Sequence, residues 1–268
     1  MCDDGILLCD KPAGITSHDV VAGVRRRLGR GVKVGHAGTL DPFATGLLIV
    51  LVGRGTRTQR FFMALPKRYE TVARFGAVSS TGDPEGEIVE TGVVPEGDLA
   101  LPTGRLMQRP PAYSAVKVGG RRAYALARAG ETVELAERPV EVAVFEETWR
   151  ERDRRAFVIE CSSGTYVRSL IADLGDAYCK SLRRTAIGPF EVTEADPERL
   201  IGLDEALSFV PEHRLEPEDV LRARHGVAVP GEGDGVVRLT DSDGLIALAE
   251  PGREAGTLKP IVGLRPAS

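Results

Sequence analysis

Gly35-His36-Ala37-Gly38-Thr39-Leu40-Asp41-Pro42-Phe43-Ala44-Thr45-Gly46 is the stretch on which the reading of this 268-residue chain turns. It sets one carboxylate in a loop bounded by glycines, and an apolar run, residues 47–52, follows at once. Glycines this dense mark backbone that needs unusual dihedrals or a close approach to another molecule. Proline after Asp41 biases that aspartate toward an extended conformation. A carboxylate fixed on the rim of a buried element suits an acid, a nucleophile or a helix cap. Asp followed by Pro is also a good cap and first-turn pair, so Asp41 can simply start a helix. His36 taken alone reads as an ordinary loop histidine.

The bulk numbers bound the rest. A hydrophobic content of 42% and a charged content of 28% fit a globular protein of one large domain, or one large and one small. No apolar run is long enough to cross a bilayer. The acidic N-terminus lacks the basic-then-apolar layout of a signal peptide, so a cytoplasmic protein is expected. The cysteines are Cys2, Cys9, Cys161 and Cys179, with no CxxC pair and no cysteine–histidine spacing for zinc. No disulfide and no structural metal are expected, and Cys9 and Cys161 read as buried thiols.

The net charge of −4 argues mildly against a nucleic-acid partner. Charge distribution matters more than the sum. Arg25, Arg26, Arg27, Arg30 and Lys33 precede the Asp41 loop, and Arg54, Arg57, Arg60, Lys67 and Arg68 follow it. Arg105, Arg109, Lys117, Arg121, Arg122 and Arg128 make a third group. The acids gather elsewhere, in residues 83–98 and 196–218. One such cluster is usually a solvated face; three flanking one candidate site favour a polyanion.

Local patterns give the elements. Residues 5–10 read as a short apolar strand. Thr16 or Ser17 can cap a helix through Val20, Val21, Val24 and Leu28, with Arg25 to Arg27 outermost. Residues 47–52 are a buried strand or the end of a helix, which periodicity cannot decide. Residues 69–76, 140–144 and 156–161 are strand-like, and residues 79–104, rich in Gly, Pro and acids, are mostly loop. Residues 110–115 are held extended by prolines. Residues 121–128, 166–174 and 203–210 have helical character. Strands interleaved irregularly with helices indicate an α+β fold. Composition shifts near Pro211, after which residues 236–239 and 245–249 read as a hairpin around Asp241-Ser242-Asp243-Gly244.

Taken whole, the Asp41 string closely resembles the active-site loop of the TruB family of pseudouridine synthases, which make pseudouridine in the T-loop of tRNA. The likeness runs along nearly the whole chain in the family's order. Asp10-Lys11-Pro12-Ala13-Gly14-Ile15-Thr16-Ser17 resembles its first motif, and Lys67-Arg68-Tyr69 its Lys-x-Tyr element. Residues 108–117 resemble its Gln-x-Pro-Pro-x-Tyr-Ser-Ala-x-Lys segment, and Cys161-Ser162-Ser163-Gly164-Thr165-Tyr166-Val167-Arg168 its arginine-bearing motif. Leu182-Arg183-Arg184-Thr185 with Ile187-Gly188-Pro189-Phe190 resembles the element closing the catalytic domain. The tail is similar, more weakly, to a PUA domain, a small RNA-binding module.

The resemblance implies a mixed central β-sheet flanked by helices over residues 1–212 and a small β-rich PUA-like domain over residues 213–268. It implies isomerisation of the T-loop uridine, position 55 of tRNA, by base flipping, without a cofactor. Asp41 is the implied nucleophile, Arg168 its partner, and Tyr69 the ring that stacks on the target uracil. Base–aromatic stacking is worth roughly 1–3 kcal/mol, and extruding a base costs on the order of a few kcal/mol. His36 fills the vacated space; Leu182 walls the pocket. Lys11 and Tyr166 join the RNA-facing set, Lys11 more as floor than as chemistry. Arg183 and Arg184 are left between phosphate and Asp173. The implied partner is the tRNA T-arm, with no membrane and no protein partner, and the chain is expected to be a monomer. Two regions, residues 91–108 and 175–182, are shorter than the family pattern. The rivals are a guide-RNA-dependent enzyme of the dyskerin type, a non-catalytic tRNA-binding or folding protein, and a hydrolase, which lacks a metal set and a nucleophile elbow.

Overall fold

A computed structural model describes residues 4–111 and 135–265, and between them the backbone of two short strands, Lys117–Val118 and Arg121–Arg122. Among these residues, ten strands build one sheet. Its spine is the apolar run after the Asp41 loop. Thr45–Val52 is a strand, buried from Gly46 onward. A continuous apolar run is what a strand covered on both faces requires. Gly5–Lys11 pairs with its whole length, antiparallel, from Gly5 opposite Val52 to Lys11 opposite Gly46. On the other side lie Val34–His36, antiparallel, and Ala177–Ile187, parallel through Arg183 opposite Thr45 and Arg184 opposite Gly46. A strand therefore follows the loop, and the reading of Asp41 as a helix cap falls.

From Ala177–Ile187 the sheet continues through Lys67–Phe75, Arg154–Cys161, Arg138–Glu151 and Gly104–Gln108, while Asp196–Gly202 closes the far edge beside Gly5–Lys11. This is the mixed sheet expected. One face carries the helix Ser17–Leu28, started by a reciprocal capping box between Thr16 and Asp19. Val21 and Val24 pack on Leu7, Cys9, Leu48 and Val50. Arg25 to Arg27 sit in its last turn, where cations suit the helix dipole. A second cluster joins the helix Val167–Ala172 to Phe75, Phe157, Ile159, Leu182 and the loop residues Leu40 and Ala44. Cys9, Cys161 and Cys179 are buried free thiols.

Several strands escaped the pattern reading, Val34–His36 and Gly104–Gln108 among them, and two others show why. Ala177–Ile187 is central, yet Arg184 points inward and breaks the apolar alternation that would have marked it. Asp196–Gly202 is an edge strand whose one buried residue is Ile201. Arg121 and Arg122, expected in a helix, pair as a strand with Lys117 and Val118. The rest of that helix, most of the proline-extended segment and Cys2 lie outside the described residues.

Beyond Pro211 a five-stranded sheet forms in the order Glu212–Arg214, Val237–Asp241, Gly244–Pro251, Thr257–Gly263, Val229–Pro230. Its central hairpin closes at Asp241 opposite Gly244, and the Asp243 N–H donates to Asp241 Oδ1 at 2.8 Å. One face builds its own core with the helix Pro217–Arg224, through Leu215, Ala223, Leu239 and Ala247. Leu248 and Leu264 instead enter the cluster of Ile6, Leu47, Ile49 and Phe62. Arg238 Nε donates to the Val210 carbonyl at 3.0 Å, and Arg57 Nη1 to that of Gly263 at 3.0 Å. No described helix is long and apolar enough to cross a membrane.

Gly46 is a point where two strand backbones approach closely. Its φ is +105°, and a Cβ there would stand 2.2 Å from the Arg184 carbonyl oxygen. Gly14 has a φ of +82°, and a Cβ there would meet nothing within 4 Å. Gly46→Ala is expected to cost more than about 3 kcal/mol, and Gly14→Ala about 1–2 kcal/mol, the cost of left-handed backbone alone. Urea midpoints of the two variants measure this, and equal losses would refute the close-approach argument.

Candidate active site

The loop that carries Asp41 is held on both sides of it, at Leu40 and at Pro42. Ser17 Oγ accepts from the Leu40 N–H at 2.9 Å and donates to the Leu40 carbonyl at 3.2 Å. The Pro42 carbonyl accepts from the Gly14 N–H at 2.9 Å and from Lys11 Nζ at 3.1 Å. The Ala44 N–H closes a turn on the Asp41 carbonyl at 3.1 Å. Lys11 is 0% exposed and gives its remaining protons to the carbonyls of Pro12, at 2.9 Å, and Ile15, at 2.8 Å. An ammonium has three protons, so Lys11 is fully engaged. It is a clamp under the loop and offers no charge to RNA, against its place in the RNA-facing set.

The Asp41 side chain is 35% exposed, so its carboxylate is reachable from solvent. Arg168, from the helix Val167–Ala172, meets it with Nε 2.9 Å from Oδ2. The same guanidinium, 4% exposed, turns Nη1 to Asp83 Oδ2 at 2.9 Å and to the Thr81 carbonyl at 2.7 Å. Asp83 is itself buried and accepts from Thr81 Oγ1 at 2.6 Å and from the Glu85 N–H at 3.0 Å. Burial pushes the Asp41 carboxyl above its ordinary value; Arg168 opposes that and Asp83 adds to it. Asp83 was missed because it stood among acids read as a solvated loop. Its neighbour Gly82, at φ +73° with its Cβ direction facing the Arg168 Cβ at 3.6 Å, was the available signal.

Tyr69 lies half-buried on Lys67–Phe75, directly opposite Arg184 across the sheet. Burial pushes its hydroxyl up, and the facing guanidinium of Arg184 pulls it down. Arg184 makes no contact with Asp173: its Nε donates to the Leu47 carbonyl at 2.7 Å and its Nη2 to that of Gly38 at 3.2 Å. Arg183 instead forms a two-point pair with Asp10, at 2.6 and 3.0 Å. Leu182 is buried against the Leu40 and Ala44 side of the loop. His36 ends the strand Val34–His36, half-buried, with the His18 ring edge-on at 6.3 Å and its carbonyl accepting from Gln59 at 2.7 Å. Tyr166 caps the Arg168 helix. Its backbone N–H and carbonyl bind Gln108 at 2.8 and 3.0 Å, and the Arg138 guanidinium covers its ring at 5.1 Å.

The basic clusters are thinner than their sequence density implied. In the second, Lys67 is buried and donates to the Met63 and Leu65 carbonyls at the end of the helix Gln59–Ala64, Arg54 pairs with Asp4, and Arg68 lies between Glu160 and Glu191. Arg25, Arg26, Arg30 and Lys33 are exposed, Arg25 donating to the Val34 carbonyl at 3.0 Å, while Arg27 is tied to Glu198. Among the described residues no group of three or more His, Cys, Asp or Glu is placed to hold a metal ion.

The charge arrangement has a direct test. The Asp41 carboxyl is expected to titrate above the ordinary value of about 4 when followed by side-chain carbon-13 NMR, assigned with Asp41→Asn. Asp83→Asn removes a like charge and moves the midpoint down. Arg168→Met removes the cation and moves it up. A midpoint unmoved by both would refute the coupling.

Sequence and structure comparisons agree on the lineage. Residues 25–167 match the TruB family pseudouridylate synthase N-terminal domain. A tRNA pseudouridine synthase B of Mycobacterium sp. (strain KMS) is 43% identical over 293 aligned positions, covering 98% of this chain and 97% of the relative. The protein of the same name from Mycobacterium tuberculosis (strain ATCC 25618 / H37Rv) is 40% identical with the same coverage. Among solved structures, a chain of a Cbf5-Nop10-Gar1 complex superposes with a TM-score of 0.69 at 26% identity, covering 98% of this chain and 85% of that one. With its pinned aspartate and buried arginine, this chain belongs to the TruB family of pseudouridylate synthases.

Proposed function

We propose that this chain is a tRNA pseudouridine synthase that isomerises the T-loop uridine at position 55, with Asp41 as nucleophile, Arg168 as the cation that keeps it ionised, and Tyr69 as the ring against the target base. One observation carries the reading: a solvent-reachable carboxylate whose loop is pinned on both sides of it and whose partner is a buried arginine. Pinned geometry is what a reaction limited by positioning needs. The names of the relatives at 40–43% identity support tRNA as the substrate.

Isomerisation breaks the N1–C1′ bond, forms a C5–C1′ bond, and moves the C5 proton out as N1 takes one up. A carboxylate can attack C1′, add to C6, or assist formation of a glycal. Each route uses an anion at the position of Asp41 and needs no cofactor. The uridine must leave its stack to reach that anion, and His36, at the end of its strand, supplies a planar ring for the space left behind. Leu182 closes the apolar side. Residues 213–268 act as the PUA-like, RNA-binding part, and the exposed Arg25, Arg26, Arg30 and Lys33 offer phosphate contacts.

The chain acts on free tRNA as a monomer. The neighbour in a Cbf5-Nop10-Gar1 complex raises the alternative of a partner-dependent enzyme, and one experiment separates them. Purified protein alone is expected to form pseudouridine in the T-loop of an unmodified tRNA transcript. Asp41→Asn is expected to lower the rate by at least about 10³-fold while still binding the transcript. Binding without product from the unaltered protein would sink the standalone reading.

A further inference from the structure

Arg184 is one of the largest fully buried side chains of the protein, 1% exposed, and among the described residues it forms no ion pair. A buried guanidinium normally has a carboxylate beside it, because taking a lone charge out of water is costly. Here the acceptors are two backbone carbonyls, Gly38 and Leu47, at the two ends of the Asp41 loop. The sheet places Gly46, Arg184 and Tyr69 in one row across three strands. Directly opposed residues of an antiparallel pair share a face, so the Arg184 and Tyr69 side chains meet on the loop side.

Resting on the proposed function, we infer that Arg184 is a positioning residue of the isomerisation: it fixes the Tyr69 hydroxyl and holds an unneutralised positive charge beneath the base. The chemistry explains why no acid accompanies it. When Asp41 attacks C1′, or when a glycal forms, the N1–C1′ electron pair leaves with the uracil. When it adds to C6, the C5–C6 pair moves onto the pyrimidine as an enolate. In each case the base is anionic until C5 bonds C1′. That step displaces Asp41 from C1′, or returns the C2′ proton on the glycal route, or is followed by expulsion of Asp41 from C6. The C5 proton then departs and N1 is protonated. A carboxylate next to Arg184 would cancel the field that such an anion experiences.

The test is a double-mutant cycle on single-turnover pseudouridine formation, with tRNA affinity measured in parallel. Arg184→Gln is expected to slow the step about 100-fold with affinity changed less than about threefold. Arg184→Lys, which keeps the charge, is expected to recover at least about tenfold of that loss. In a Tyr69→Phe background the same Arg184→Gln change is expected to cost less than about threefold. If the glutamine variant does not fold, the lysine variant carries the cycle. Full additivity with Tyr69→Phe, or a loss confined to tRNA affinity, would overturn the inference, since a merely structural arginine acts whether or not the hydroxyl is present. An inactive unaltered protein would instead remove the function reading, and this inference with it; that assay is run first.

Discussion

One guanidinium shared between two carboxylates organises the site. Arg168 is buried and sets one positive charge against the two carboxylates of Asp41 and Asp83. With both, three segments distant in sequence are tied at one point: the loop before Thr45–Val52, the turn around Thr81, and the helix Val167–Ala172. Losing Arg168 would leave the two carboxylates facing each other without their cation, which is costly, whereas losing either acid leaves a one-to-one pair. The Asp41 carboxylate is thus also part of what fixes the position of Arg168. Gln108 extends the arrangement outward by gripping both backbone groups of Tyr166 just before the helix.

Around this cluster lies a surplus of buried positive charge. Lys11, Lys67 and Arg184 are all buried, and their hydrogen bonds go to main-chain carbonyls. Burial pulls the Lys67 ammonium down to about 8, with the Arg184 charge adding to the effect. An acidic protein thereby buries three cations in the elements around the Asp41 loop. The overall charge of −4 describes the surface more than this interior.

The reading of the fold from sequence succeeded where side chains obey period and turn chemistry. Thr16, one of two candidate caps, announced the first helix, and the Asp241 to Gly244 turn announced the hairpin of the second sheet. It failed on Ala177–Ile187, because a strand that turns an arginine inward does not look like a central strand. Asp41 and Arg168 stood in strings specific enough to single out, and the structure joins them at 2.9 Å. Asp83 did not, and Arg184 stood in such a string but its partner stood open between phosphate and Asp173. Their importance comes from neighbours up to 85 and 146 residues away, Arg168 and Gly38, and no local pattern encodes such a pairing. Lys11 reads as floor more than as chemistry, and its position under the loop fits that; what its motif did not reveal is the three carbonyls that consume its protons, which leave none for the RNA-facing set in which the motif placed it.

The joint between the two sheets has an evolutionary consequence. Leu248 and Leu264 lie in the same apolar cluster as Ile6, Leu47 and Ile49, with Phe209, Leu245, Ile261 and Val262 packed at its margin. Cutting the chain near Pro211 would strip water-excluding cover from both pieces at once, leaving two sticky faces in place of one sealed core. The tail is therefore not a detachable accessory that a lineage can shed or exchange in a single step. Any descendant that loses it must first rewrite the surface of the sheet that carries Asp41, and so the two parts are bound to drift together.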